Sequence, residues 1–228
     1  HQQQDSVEFL QLLIDRINKK IPNISSMFTG EIEHKTFYEG NEISTNNEQF
    51  TIFPLEVKNQ VSLTTSLNTF LDPDKFEYDL EGKGKVNAIR FHKVKKAPEI
   101  LIIQLKRFEY NLKTTEREKI NSKFNFSHEL DFSPVMANGS PITYSLCGVV
   151  QHTGTANGGH YFSDVKRDDE KWLCINDTSV RKIDGDSLLN EAAGGNEEIN
   201  LYDAEVGYNR SKIIDKTPYH LDFLSQTT

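Results

Sequence analysis

Few residues in this chain could carry out nucleophilic or acid–base chemistry. The two cysteines, Cys147 and Cys174, lie inside apolar, β-like runs, where a thiol more often packs as a small hydrophobe than reacts. His34, His92, His128 and His152 show no His-x-x-x-His spacing and are read as structural, with no metal ligand set and no cofactor expected. His160 is different because of what lies beyond it. A five-residue turn over 166–170 would set Val165 against Lys171, and matched steps outward place His160 opposite Asn176. An amide oxygen there can accept from one imidazole nitrogen and leave the other for a thiol, the arrangement a cysteine nucleophile requires. Taken alone, the spacing also suits an ordinary strand-edge histidine satisfied by a local carbonyl.

On this register Cys174 is diagonal to His160 at about 7–8 Å, beyond thiol–imidazole contact. A slip of one residue would turn Asn176 away and bring Asp177 opposite the ring. In an unbroken strand Asp177 points to the other face, so it is assigned a supporting role, binding an oxyanion or holding the loop. Gly158 and Gly159 remove two side chains next to the imidazole, either to admit a narrow substrate or merely to make a turn. Asp5 and Glu8 share one face of the first predicted helix. They also form a capping-box pattern, in which both side chains satisfy the helix's own amides.

The elements that must hold these residues are mostly strands. Phe9, Leu10, Leu13, Ile14 and Ile17 are spaced as one buried stripe of a helix over 6–18, closed by Pro22. Alternating strands follow over 31–38, with a turn at Gly40-Asn41, and over 50–57; a short helix fits 62–71. Gly82-Lys83-Gly84 turns into a strand over 86–94, and 100–105 is apolar enough to be a central strand buried on both faces. Further strands are expected over 144–150, 160–165 and 171–175, giving an α+β class with strands dominant.

With 228 residues, the chain can bury an ordinary core without staples. A net charge of −8 disfavours a nucleic-acid partner. No window approaches the roughly 20 apolar residues of a spanning helix, so no membrane partner is expected. Cysteine usage favours a reducing compartment, cytoplasmic or nuclear. The chain starts at His1 and runs directly into a helix signal, so a piece of a longer protein is expected.

Four segments in order resemble the ubiquitin-specific protease family of papain-like cysteine peptidases. They are Gln3-Gln4-Asp5-Ser6-Val7-Glu8-Phe9-Leu10; Leu101-Ile102-Ile103-Gln104-Leu105-Lys106-Arg107-Phe108 with Lys119-Ile120-Asn121 and Phe124-Asn125-Phe126; His152-Thr153-Gly154-Thr155-Ala156-Asn157-Gly158-Gly159-His160-Tyr161-Phe162; and Trp172-Leu173-Cys174-Ile175-Asn176-Asp177 with Val180. The resemblance implies a papain-like fold with a thumb helix remnant over 1–28, a fingers-like sheet over 29–95, a palm over 96–215 and a tail over 216–228. It also implies catalytic roles for His160 and Asn176 with support from Asp177, and substrate contacts for Gln4, Asp5, Glu8, Gly158, Gly159 and Tyr161. The expected partner is ubiquitin or a ubiquitinated protein.

Three departures qualify it. The family's cysteine box precedes the Gln-Gln-Asp box and is not in this chain, so the nucleophile is expected upstream and residues 1–228 alone are expected to be inactive. The family's fingers often bind zinc through two Cys-x-x-Cys pairs, whereas 31–94 contain no cysteine. The closing aromatic strand has only a polar counterpart over 202–208. The competing reading is a non-catalytic ubiquitin-binding or scaffold module that keeps the fold without the nucleophile.

Overall fold

The computed structural model describes residues 5–21, 23–203 and 208–226, with backbone alone for 196–203 and 208–216. Helix α1 (Ser6–Asn18) starts at Asp5, whose Oδ1 accepts from the Val7 and Glu8 amides at 2.7 and 3.3 Å. Its buried face differs from the expected one. Val7 and Ile14 are buried and Leu10 packs beside them, while Phe9, Leu12 and Leu13 are exposed. The helix carries two apolar stripes, and the sheet beneath covers only one.

Strands β1 (Gly30–Tyr38) and β2 (Asn41–Phe50) form a hairpin through Glu39 and Gly40, both at positive φ as a tight two-residue turn demands. β3 (Ile52–Glu56) leads to helix α2 (Leu63–Phe70), which Ser62 and Thr65 start with a reciprocal capping box. β4 (Asp74–Leu80) and β5 (Gly84–Lys96) join the first hairpin in an antiparallel four-stranded sheet of order β2-β1-β5-β4.

The second sheet holds the remaining core. Its strands are β6 (Ile100–Lys106), β9 (Glu129–Asp131), β10 (Thr143–Thr155), β11 (Gly158–Lys166), β12 (Trp172–Asn176), β13 (Ser179–Ile183), β14 (Asn196–Asp203) and β15 (Tyr208–Ser225), together with β3. The main path is β13-β12-β11-β10-β15-β6-β3, and only the β3–β6 pairing is parallel. The hairpin of β7 (Phe108–Asn111) and β8 (Glu116–Lys119) stands apart, and helix α3 (Gly185–Ala192) follows β13. As expected, β6 is buried on both faces. Leu101, Ile103 and Leu105 enter the main core with Leu63, Leu67, Leu188 and Phe223, and Ile102 meets Val7 and Ile14 on the other side.

The described part of the expected tail, 216–226, belongs mostly to the long strand β15. Residues 216–225 pair with β10, and 220–224 of them also with β6, with Tyr219, Leu221 and Phe223 buried. Leu221 and Phe223 alternate with the polar His220 and Asp222 and face the main core, while a register shift at Tyr219 turns its ring to the α1 side with Val7 and Ile102. The closing strand looked for over 202–208 is instead the end of the β14–β15 hairpin, with 204–207 outside the described residues. Arg107 secures this strand from beneath. Fully buried, it donates through Nε to the Pro218 carbonyl at 2.7 Å and through Nη1 to those of Ile120 and Ser122 at 2.8 and 3.1 Å. Lys119 does the same for the β7–β8 hairpin, donating to the carbonyls of His152 and Gly154.

Candidate active site

The β11–β12 hairpin brings His160 and Asn176 together, though not on the expected register. Val165 opposes Leu173, Lys166 opposes Trp172 and Ser163 opposes Ile175. The five-residue loop is retained but lies one residue later, over 167–171, closed by the Arg167 amide on the Lys171 carbonyl at 2.9 Å with Glu170 at positive φ. This slides the pairing by two residues, which preserves the face of every side chain. His160 is therefore diagonal to Asn176, and the Nε2–Oδ1 separation is 2.6 Å. Trp172, buried in the core, starts its strand where the charged Lys171 was expected to.

Asp177 also departs from expectation. β12 ends at Asn176, and Asp177 adopts φ 52°, a left-handed conformation that aspartate tolerates better than most residues. The turn brings its Oδ2 to 3.8 Å from the same Nε2. The imidazole is thus held through one nitrogen by an amide, with a carboxylate behind it, and Nδ1 remains for a second group. The His160 side chain is 43 % exposed.

Neither thiol is that group. Cys174 opposes Asp164, four residues along β11 from His160 or about 13 Å of strand, farther than the expected diagonal. It is buried, and burial and then its hydrogen bond to Asp164 raise its pKa. Burial, then the charge of Asp222, pushes the Cys147 thiol up to about 12, and its Sγ donates to the Asp222 carbonyl at 3.3 Å.

On the alternate face of β11 a cleft of about 940 Å³ is lined by Asp5, Gln104, Phe108, Gly158, Gly159 and Tyr161, among others. The two glycines differ. A Cβ on Gly158 would meet nothing within 4 Å, whereas one on Gly159 would lie 2.1 Å from the Thr153 carbonyl oxygen and 2.5 Å from His152 Nε2. Gly159 is needed by the fold, and Gly158 leaves the cleft open. Both oxygens of Asp5 are engaged, Oδ1 by the helix amides and Oδ2 by the Tyr219 hydroxyl at 2.7 Å. Tyr161 packs between His152 and Tyr219, and burial, then the Asp5 charge, raises its phenol to about 12. Glu8 is exposed on α1, and Gln4 lies outside the described residues. Tyr219 was missed in the sequence, because the register shift of β15 between Pro218 and His220 that turns it toward the cleft leaves no mark in the residue pattern.

Residues 31–94 hold no cysteine and do not fit a four-cysteine zinc site. Among the described residues no helix is long and apolar enough to cross a membrane.

Comparison with known proteins gives a consistent picture. The Ubiquitin carboxyl-terminal hydrolase family matches residues 1–219. Ubiquitin carboxyl-terminal hydrolase 26 of Arabidopsis thaliana is 32% identical over 214 residues, covering 84% of this chain and 20% of its own length. Ubiquitin carboxyl-terminal hydrolase 34 of Homo sapiens is 28% identical over 242 residues, covering 89% of this chain and 7% of its own. The chain therefore spans a fifth or less of these relatives. Among solved structures, a SAGA DUB module bound to monoubiquitin superposes with a TM-score of 0.81 at 24% identity, over 100% of this chain and 49% of that one. The likeness is one of fold, and the sheet-dominated α+β architecture described above is that of the ubiquitin-specific proteases.

Proposed function

The chain belongs to the ubiquitin carboxyl-terminal hydrolase family, and from that premise we propose that it supplies the acid–base half of a deubiquitinating cysteine peptidase whose thiolate comes from outside residues 1–228. The observation that carries this reading is the 2.6 Å contact between His160 Nε2 and Asn176 Oδ1. It fixes the ring so that Nδ1 can take the thiol proton. The thiolate attacks the carbonyl carbon of ubiquitin's last glycine, the bond to the following nitrogen breaks as the imidazolium returns its proton to the leaving amine, and water releases the acyl group by the same route. Asp177 stabilises the imidazolium from 3.8 Å. The cleft beside Gly158, with Asp5 and Tyr161 on its wall, receives the narrow glycine-ended tail of ubiquitin. Glu8 and Gln4 extend that contact along α1. The reducing interior of the cell, cytoplasmic or nuclear, suits both the proposed thiolate and two unpaired cysteines.

A ubiquitin probe with a C-terminal electrophile tests the reading. Residues 1–228 alone should form no adduct, since neither Cys147 nor Cys174 can meet His160, while the complete protein should be captured at a cysteine outside them. An adduct on Cys147 or Cys174 would overturn the division of labour. Absence of any adduct in the complete protein would favour the non-catalytic module.

A further inference from the structure

The four-stranded sheet contains a second pair of histidines that the hydrolase reading does not use. His34 on β1 and His92 on β5 are directly opposed, 58 residues apart in sequence, and their Nδ1 atoms are 2.8 Å from each other. The outer nitrogens are engaged too. His34 Nε2 lies 3.2 Å from Glu48 Oε2 on β2, and His92 Nε2 lies 3.0 Å from Asp74 Oδ2 on β4. The row Glu48–His34–His92–Asp74 thus crosses all four strands. The imidazoles are 18% and 13% exposed, and Phe70 of α2 packs against His92.

A carboxylate accepts and does not donate, so each Nε2 is the protonated nitrogen and each Nδ1 turns a lone pair inward. Two such lone pairs facing each other at 2.8 Å repel unless a positive charge is shared between them, either a proton on one ring or a metal ion bound to both. A carboxylate behind each imidazole is the usual support of a metal-ligating histidine, fixing its tautomer and raising its basicity. We propose that His34 and His92 form a transition-metal site, binding one divalent ion through their Nδ1 atoms and tying the four strands together.

The spacing selects the kind of ion. With metal–nitrogen bonds of about 2.0 Å, two cis ligands at right angles stand about 2.8 Å apart, and two ligands of a tetrahedron about 3.3 Å. The 2.8 Å separation corresponds to a right-angled pair of ligands, as in octahedral or tetragonal coordination, so Ni²⁺ is the ion to set against tetrahedral Zn²⁺. Among the described residues no set of three or more His, Cys, Asp or Glu side chains is placed to hold a metal, so this site has two protein ligands and water completes it. The nearby cation, Arg90, is directed away, with its guanidinium 4.3 Å above the Phe76 ring and Nε toward Thr36.

Titration of the intact chain with Ni²⁺ and separately with Zn²⁺, by calorimetry and thermal melts, tests the site, with His34→Asn and His92→Asn as controls for the other histidines. The wild type should bind one more equivalent of Ni²⁺ than either variant, hold it more tightly than Zn²⁺ at that site, and melt higher in Ni²⁺ where the variants do not. Glu48→Gln with Asp74→Asn keeps both imidazoles and should weaken binding about 10–100-fold, which covers the case in which a histidine variant fails to fold. Equal Ni²⁺ stoichiometry in wild type and variants would reduce the pair to a hydrogen bond and overturn the proposal. Preference for Zn²⁺ at the pair would overturn its tetragonal assignment.

Discussion

His160 with Asn176 and His34 with His92 are both cross-strand pairs, yet they sit in opposite kinds of place. The first lies at the open end of a hairpin near the edge of the nine-stranded sheet, with one ring nitrogen held and one left over. The second lies in the middle of the four-stranded sheet, with each Nε2 held by a carboxylate and the two Nδ1 atoms turned toward each other. An accessible imidazole with one nitrogen left over can move a proton, and two part-buried imidazoles turned toward each other can only hold each other or an ion between them. Position in the sheet, more than residue type, separates a catalytic candidate from a brace.

Exchanging the roles by mutation is the strongest way to break this comparison. In the complete protein, His160→Ala should lower kcat/KM by about 10²–10⁴-fold with the melting temperature retained. Asn176→Ala should cost about 10²-fold through misplacement of the ring. His92→Asn should do the reverse, leaving kcat within about twofold and lowering stability by about 1 kcal/mol. Loss of activity in His92→Asn without unfolding would erase the distinction.

Arg107 offers a test of the scaffold beneath the edge pair. Arg107→Ala deprives three carbonyls of their donor and should destabilise by on the order of 3 kcal/mol in denaturant titrations. Hydrogen exchange should then show protection lost in β10 and β15 before β1 and β5. Uniform loss across both sheets would mean that the two regions unfold as one.

A smaller effect distinguishes the two glycines. Gly159→Ala forces a Cβ onto the Thr153 carbonyl and the His152 ring and should cost about 1–3 kcal/mol in a thermal melt. Gly158→Ala should leave stability almost unchanged while raising KM for ubiquitin substrates, because only the open cleft feels it. If both alanines raised KM alone, the separation between fold and passage would fail.

A further test is the pH dependence of stability. Burial pushes the Asp222 carboxyl up to about 7, with Oδ2 packed over Gly148. Its folded value exceeds the unfolded one of about 3.9, so its contribution is complete below about pH 4 and lost as pH rises through about 7. His220, lowered to about 4 by burial, slopes the other way between about 4 and 6.5. The readout is therefore a difference: Asp222→Asn should gain on the wild type in melting temperature between pH 5 and pH 8. A constant gap would exclude titration of Asp222.

Local patterns settled much of this protein in advance. The central strand followed from the apolar run at 100–105, a short helix was legible over 62–71, and the face shared by His160 and Asn176 followed from parity, which a two-residue slide of register cannot change. Three things needed the tertiary structure. Whether Asp177 turned toward or away from His160 depended on where β12 stopped, and only the left-handed turn after Asn176 decided it. Whether 217–225 was tail or core depended on what stood on each side of it, because a strand's side chains are buried only where β10 and β6 flank it. The meeting of His34 with His92 depended on the pairing of β1 with β5, since no spacing along a chain can bring together residues that only a sheet makes neighbours.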